Sequence, residues 1–270
     1  GPQQRFANVI VVRSIIYNLM FYVNLVVLLL VAVTTFVMPH QGILKMAELW
    51  GRVSVWLLRV VCGTKMEVRG LEHLQGRRLS EPLIIAAKHQ STWETFALLK
   101  LFDDYTFIVK RELTWIPLFG WFMTKARMIP VDRQAGSQAL TKMTTRAREE
   151  IRTGRQLVIF PEGTRRAAGA EPRYRFGVAH LYAEIGVPCI PVALNSGLYW
   201  PRRHFRRYPG TIVVDPTARY AYLVREGGRA IRYGVGVGKE EAFNFRGEAV
   251  VARKAAWPRW TPSSRCPRCT

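Results

Sequence analysis

The chain has 270 residues, nearly half of them hydrophobic, which is enough to bury a substantial core and argues against disorder. Its 40 Lys+Arg against 19 Asp+Glu leave a formal charge of +21. A surplus of that size implies an anionic partner: nucleic acid, an acidic membrane surface or a phosphorylated substrate. Four cysteines do not make the framework of an oxidised, secreted scaffold.

In chain order, residues 15–38 come first, an apolar run without one charged side chain. As a helix it is long enough to cross a hydrocarbon core of about 30 Å, which takes about 20 residues. A signal peptide has a shorter apolar stretch and a small-residue cleavage site, which this segment lacks. Asn18 and Asn24 are costly in lipid, so lying in the interface is the alternative to spanning. A second apolar stretch carries Lys45, Glu48, Arg52 and Arg59 on one helical face, with Trp50 and Trp56 suited to a water–lipid boundary. The two segments read as a membrane-associated helical hairpin over residues 1–64, or as core-packing helices. In either case the cationic remainder is drawn to anionic membrane lipids.

After Thr64 short β-rich runs alternate with helical ones. Strands are expected at MEVRG, LIIAAK, TFIVK, RMIPV, LVIF, CIPVAL and TIVVD, and helices over residues 92–101, 136–152 and 178–185. This predicts an α/β domain over residues 65–216, a mixed and largely parallel sheet sandwiched by helices. Functional residues in such sheets gather on loops beyond the strand ends. Residues 217–270, basic and rich in glycine without clear periodicity, read as a poorly structured or atypical segment. Their GVGVGK lacks phosphate-loop spacing. Cys62 and Cys189 read as core residues. The lone Cys266/Cys269 pair has no partner ligands for zinc, so no metal site is expected.

The motif with most chemistry is KHQSTWETF. A neutral imidazole at His89 can take a proton from an alcohol if a carboxylate fixes its tautomer, and Glu94 can supply that carboxylate. On one ideal helix, residues five apart are separated by about 140° around the axis. The pair therefore requires His89 to precede a helix that begins near Glu94. Ser91 to Glu94 is also a capping box, in which Glu94 serves only the helix end.

FPEGTRR follows a strand. Gly163 permits a sharp turn, Arg165 can hold a phosphate, and Glu162 offers an acceptor to a hydroxyl, although taken alone the motif reads better as a solvated surface turn. MIPVDR ends a strand at Arg133. PRRHFRRYPG clusters Arg202, Arg203, Arg206 and Arg207 around Phe205 and Tyr208, either as a solvated basic loop or with a substrate role. The apolar ELTWIPLFGWFMTKA could border an acyl chain or touch lipid.

Taken in order, KHQSTWE, MIPVDR, FPEGTR and VPCIPVAL resemble the four blocks of the glycerolipid acyltransferase family, over residues 68–215. The combination is far more specific than any block alone. Two departures stand out: Glu94 where most members have Asp, and an ending unlike the family's strand-and-helix close. The resemblance implies transfer of an acyl chain from acyl-CoA or acyl carrier protein to the 2-hydroxyl of 1-acyl-sn-glycerol 3-phosphate, with no cofactor beyond that co-substrate. It also implies His89 and Glu94 as catalytic residues and Arg133, Glu162, Gly163, Thr164, Arg165 and Lys110 as substrate-binding ones. The implied site of action is the cytoplasmic face of a bacterial inner membrane. The rival readings are the same chemistry on a lyso-ornithine lipid or glycerol 3-phosphate, and an inactive basic protein that binds membranes or nucleic acid. No helix-turn-helix, RRM or zinc pattern accompanies the charge, so no specific nucleic acid is expected.

Overall fold

The computed structural model describes residues 2–70, 81–132, 135–171, 173–216, 220–224 and 230–234. It opens with a helical hairpin: α1 (Pro2–Ala32), a 3₁₀ turn (Val33–Val37) and α2 (His40–Cys62). Helix α1 is apolar on nearly every side, and Ser14, Tyr17 and Phe21, at helical spacing, turn inward. Leu19, Tyr22, Val26 and Leu30 are exposed. By length and composition the stretch Gln3–Val37 can cross a membrane. Gly63, in the left-handed region at φ 72°, ends α2 by donating to Arg59, and turns the chain into β1 (Thr64–Val68).

The elements that follow are β2 (Ile84–Ala87), α3 (Glu94–Ala97), β3 (Tyr105–Lys110), α4 (Phe119–Lys125), β4 (Ile129–Val131) and α5 (Gly136–Arg152). After them come β5 (Gln156–Ile159), α6 (Gly177–Ile185), β6 (Cys189–Leu194) and β7 (Gly210–Asp215). Among the described residues the main sheet has seven strands in the order β1-β7-β6-β2-β5-β3-β4. Every pairing is parallel except β6 with β7. This is the mixed, largely parallel sandwich the sequence predicts. The unexpected helix is α4, which cuts through the apolar run around Pro117.

Alternation along the strands divides the core in two. Leu83, Ile85 and Ala87 of the β2 region join Val158, Ile190 and Val192 on the face covered by α1 to α4. Ile84, Leu157 and Ile159 point the other way, against Met143, Ala147 and Leu181 of α5 and α6. Trp50, expected at a lipid boundary, packs instead between Phe21 and Phe96, at ring-centroid distances of 5.5 and 5.2 Å. Trp56 is exposed.

Residues 1–218 form one compact unit, so the hairpin packs on the α/β body. Residues 219–270 form the second. Within that second unit, β8 (Tyr220–Val224) and β9 (Ala230–Gly234) pair antiparallel, a regular element in a segment that shows no periodicity in sequence. Cys266 and Cys269 lie outside the described residues.

Candidate active site

Three adjacent central strands, β6, β2 and β5, end on the same edge of the sheet, and their following loops converge. Strand β2 leads into Lys88 and His89. The chain then turns through Gln90 and Ser91 before α3 starts at Glu94, so His89 precedes the helix as the spacing requires. His89 Nδ1 lies 3.6 Å from Glu94 Oε2. That is an ion-pair distance and too long for a hydrogen bond, and Nδ1 has no other partner among the described residues. The imidazole stacks on Phe160 at 4.1 Å and 17°, which holds its plane, and it stays 14% exposed.

Glu94 is fully buried, and donors from two loops replace its water. The backbone N–H groups of Gln90 and Ser91 and the Ser91 hydroxyl each donate to it at 3.0–3.1 Å. Ser196, at the end of β6, donates through a short bond to Oε1. The Ser91 hydroxyl also accepts from the Trp93 N–H at 3.0 Å. Glu94 thus closes its own helix start, as a capping residue does, and still faces His89. The two readings of the motif coexist on one side chain.

Glu162, from the loop after β5, was expected to offer an open acceptor. Its side chain is buried instead, with Lys88 Nζ donating to Oε1 at 2.8 Å and the His89 N–H to Oε2 at 3.0 Å. It ties the β5 loop to the backbone that carries the imidazole. A second tie runs from the Arg166 N–H to the His89 carbonyl at 2.8 Å. Gly163 takes φ 65°, the left-handed conformation that the turn after Phe160 requires. Thr164 is exposed. Arg165 is half-buried, and its Nη1 donates to Thr92 Oγ1 at 2.6 Å, three residues from His89. Lys110 is exposed at the end of β3, two strands from β2, or about 10 Å across the sheet. Arg133 lies outside the described residues.

Sequence reasoning missed the loop after β6. Asn195 accepts from the Val213 N–H at 2.8 Å, and the Gly197 N–H donates to Gln90 Oε1 at 3.1 Å, so Ser196 is locked beneath Glu94. The available signal was the polar triplet Asn195-Ser196-Gly197 directly after a buried strand.

An imidazole held beside a buried carboxylate, at a partly open edge lined by arginine, suits proton abstraction from a hydroxyl next to an anionic group. The family model named Acyltransferase matches residues 65–195. A 1-acyl-sn-glycerol-3-phosphate acyltransferase of Pseudomonas aeruginosa is 40% identical over 184 residues, covering 67% of this chain and 69% of that one. The chain belongs to the acyltransferase family. A chloroplastic 1-acyl-sn-glycerol-3-phosphate acyltransferase of Brassica napus is 30% identical over 55% of this chain, although this enzyme spans only 41% of that relative's length. The crystal structure of PlsC, the 1-acyl-sn-glycerophosphate acyltransferase of Thermotoga maritima, superposes with a TM-score of 0.60 at 23% identity. That match covers 76% of this chain and 84% of that one, and it establishes the fold. The acyltransferase therefore carries its His–Glu pair at the edge where its sheet's central strands end.

Proposed function

We propose that this acyltransferase moves an acyl chain from an acyl-CoA or acyl carrier protein thioester to the 2-hydroxyl of 1-acyl-sn-glycerol 3-phosphate, making phosphatidic acid. The observation that carries the reading is the 3.6 Å approach of His89 Nδ1 to the buried Glu94, with Arg165 held on Thr92 beside it. Glu94 orients Nδ1–H toward itself and leaves Nε2 free to accept the hydroxyl proton. The pair tightens to a hydrogen bond as positive charge develops on the ring, as catalytic contacts often do only in the loaded enzyme. The substrate oxygen then attacks the thioester carbonyl, the C–S bond breaks, and the departing thiolate takes the proton back from His89. No acyl-enzyme forms, and no bound cofactor is required, because the thioester already carries the activated acyl group.

Arg165 binds the acceptor's phosphate, with Arg133 and Lys110 as further contacts, and Gly163 and Thr164 shape the turn that presents it. Glu162 acts through His89, by fixing the backbone on which the ring is mounted.

The hairpin lies in the plane of the membrane interface. Asn18 donates to the Phe205 carbonyl at 2.9 Å, and Phe36 stacks on Phe122 of α4 at 5.0 Å. These contacts with the α/β body are separated by about 27 Å along the helix, close to a full hydrocarbon thickness of about 30 Å. A crossing hairpin would pull the body into lipid with it. With CoA or carrier-protein thioesters as donors, the expected surface is the cytoplasmic face of a bacterial inner membrane, whose anionic lipids attract the cationic domain.

A panel of acceptors tests the assignment: lysophosphatidate, a lyso-ornithine lipid and glycerol 3-phosphate, each with acyl-CoA and with acyl carrier protein. Lysophosphatidate is expected to give the highest kcat/KM. Preferential acylation of either of the others would replace the acceptor named here.

A further inference from the structure

Beside Arg165 an open cleft of about 160 Å³ runs between the middle of α1 and the loop of residues 201–207. It is smaller than the pocket of a drug-sized ligand and suits a phosphate-sized headgroup. Its walls divide by chemistry. Phe21, Tyr22 and Trp200 are apolar, whereas Arg165, Arg202, Arg203 and Arg207 bring four guanidinium groups together, and no carboxylate lines the cleft among the described residues.

Arg207 is the most unusual of the four, being only 6% exposed. Its Nη1 donates to the His204 and Arg206 carbonyls at 2.7 and 3.0 Å, and its Nη2 to Asn18 Oδ1 at 2.9 Å. The guanidinium lies 3.9 Å from the centre of the Trp200 ring. These contacts fix the plane of the group, but every one of them is with a neutral partner. Its Nε–H is buried without an acceptor among the described residues. Burial pushes the guanidinium down to about 10, against the opposing effect of Tyr17. A buried cation without a counter-charge, beside three more cations, is costly unless an anion joins it. Helix α1 meanwhile leaves Leu19 and Val23 exposed next to the cleft-lining Asn18, Phe21 and Tyr22.

We propose that this cleft is a phosphate-binding site loaded from the membrane, in which Arg207 and Arg202 grip the acceptor's phosphate from the side opposite Arg165. The proposal rests on the reading of the acceptor as a lysophospholipid. It adds a specificity-determining wall built from α1 and the loop after β6, outside the four sequence blocks. Thr92 joins the two halves: its hydroxyl accepts from Arg165, it lines the cleft, and it sits between His89 and Glu94 in the chain. A phosphate held there lies against Thr92, three residues along the chain from His89.

The test measures binding without turnover, using full-length His89→Ala protein in neutral detergent, alone and combined with Arg202→Ala or Arg207→Lys. Lysophosphatidate is expected to bind saturably to the parent and about tenfold or more weakly to both combinations, because Arg202→Ala removes a charged hydrogen-bonding partner and Arg207→Lys keeps the charge but loses the planar donor fork. Monoacylglycerol, which lacks the phosphate, should bind weakly and equally to all three. Unchanged lysophosphatidate affinity in both combinations would overturn the proposal. So would an equal loss for monoacylglycerol. Phosphatidylglycerol binding as tightly as lysophosphatidate, with the same dependence on Arg202 and Arg207, would assign the cleft to a bilayer lipid instead of the acceptor. Arg207 is buried and its replacement can disturb the loop. Arg202 is half-exposed, so its variant decides the matter if the other fails to fold. If wild-type enzyme makes no phosphatidate while the arginine variants still weaken lysophosphatidate binding, the acceptor assignment fails and the phosphate cleft stands.

Discussion

The sheet is covered on both faces by helices, yet the two covers are finished differently. Helix α5 buries Met143, Ala147 and Ile151 and leaves Lys142, Arg146, Glu149 and Arg152 exposed, an amphipathic layer made for water. On the opposite face α2 packs against the sheet, and α1 lies outside it with Leu19, Tyr22, Val26 and Leu30 uncovered. Past Arg13, the polar groups that α1 carries are spent inward. Asn24 donates to the Ser54 hydroxyl at 3.2 Å, and Asn18 is tied to the arginine-rich loop. One face is thus finished for solvent, and the other leaves apolar side chains uncovered. The His89–Glu94 pair sits on the loops at the edge of the sheet that these two covers flank.

Four substitutions would break or sharpen that contrast. The largest effect is expected at the edge itself. Glu94→Ala should lower kcat by about 100-fold or more, the scale of a general base left without its partner. Membrane attachment should survive, as measured by co-sedimentation with anionic vesicles. Next comes the lipid-facing layer. Leu19→Glu places a charge on the exposed side of α1 and should weaken partition into vesicles about tenfold or more. Tyr182→Glu, on an exposed position of α6, should leave partition unchanged; equal losses in the two variants would erase the distinction between the faces. The smallest effect concerns the packing that joins layer to site. Gly51 of α2 lies so close to α3 that a Cβ there would collide with the Phe96 carbonyl oxygen. Gly51→Ala should cost about 1–3 kcal/mol of stability, seen as a lower Tm, and should disturb kcat through the helix that carries Glu94.

Much of this was legible in the sequence because the informative residues are close together in the chain. His89 and Glu94 lie five residues apart in one motif, so their pairing requires a helix that begins after the histidine. Alternating apolar runs announced the parallel strands, and with them the edge on which the loops meet. What escaped were relations between residues far apart. Ser196 reaches Glu94 from 102 residues away, and nothing local distinguishes it from a surface serine. Glu162 sits in a motif that invites a substrate role, but Lys88, 74 residues upstream, occupies its carboxylate. Trp50 carries the pattern of an interfacial tryptophan, and only the neighbouring Phe21 and Phe96 turn it inward. Local pattern reports which way a side chain can face. Tertiary packing selects which neighbour it meets.

The most direct test of the chemistry is the rate of phosphatidate formation by His89→Ala and wild-type enzyme, from labelled acyl-CoA and lysophosphatidate, on vesicles that bind both proteins equally. The account predicts a loss of about 100- to 10,000-fold for the variant at matched membrane occupancy. A variant rate within a fewfold of wild type would contradict the assignment of His89 as the base.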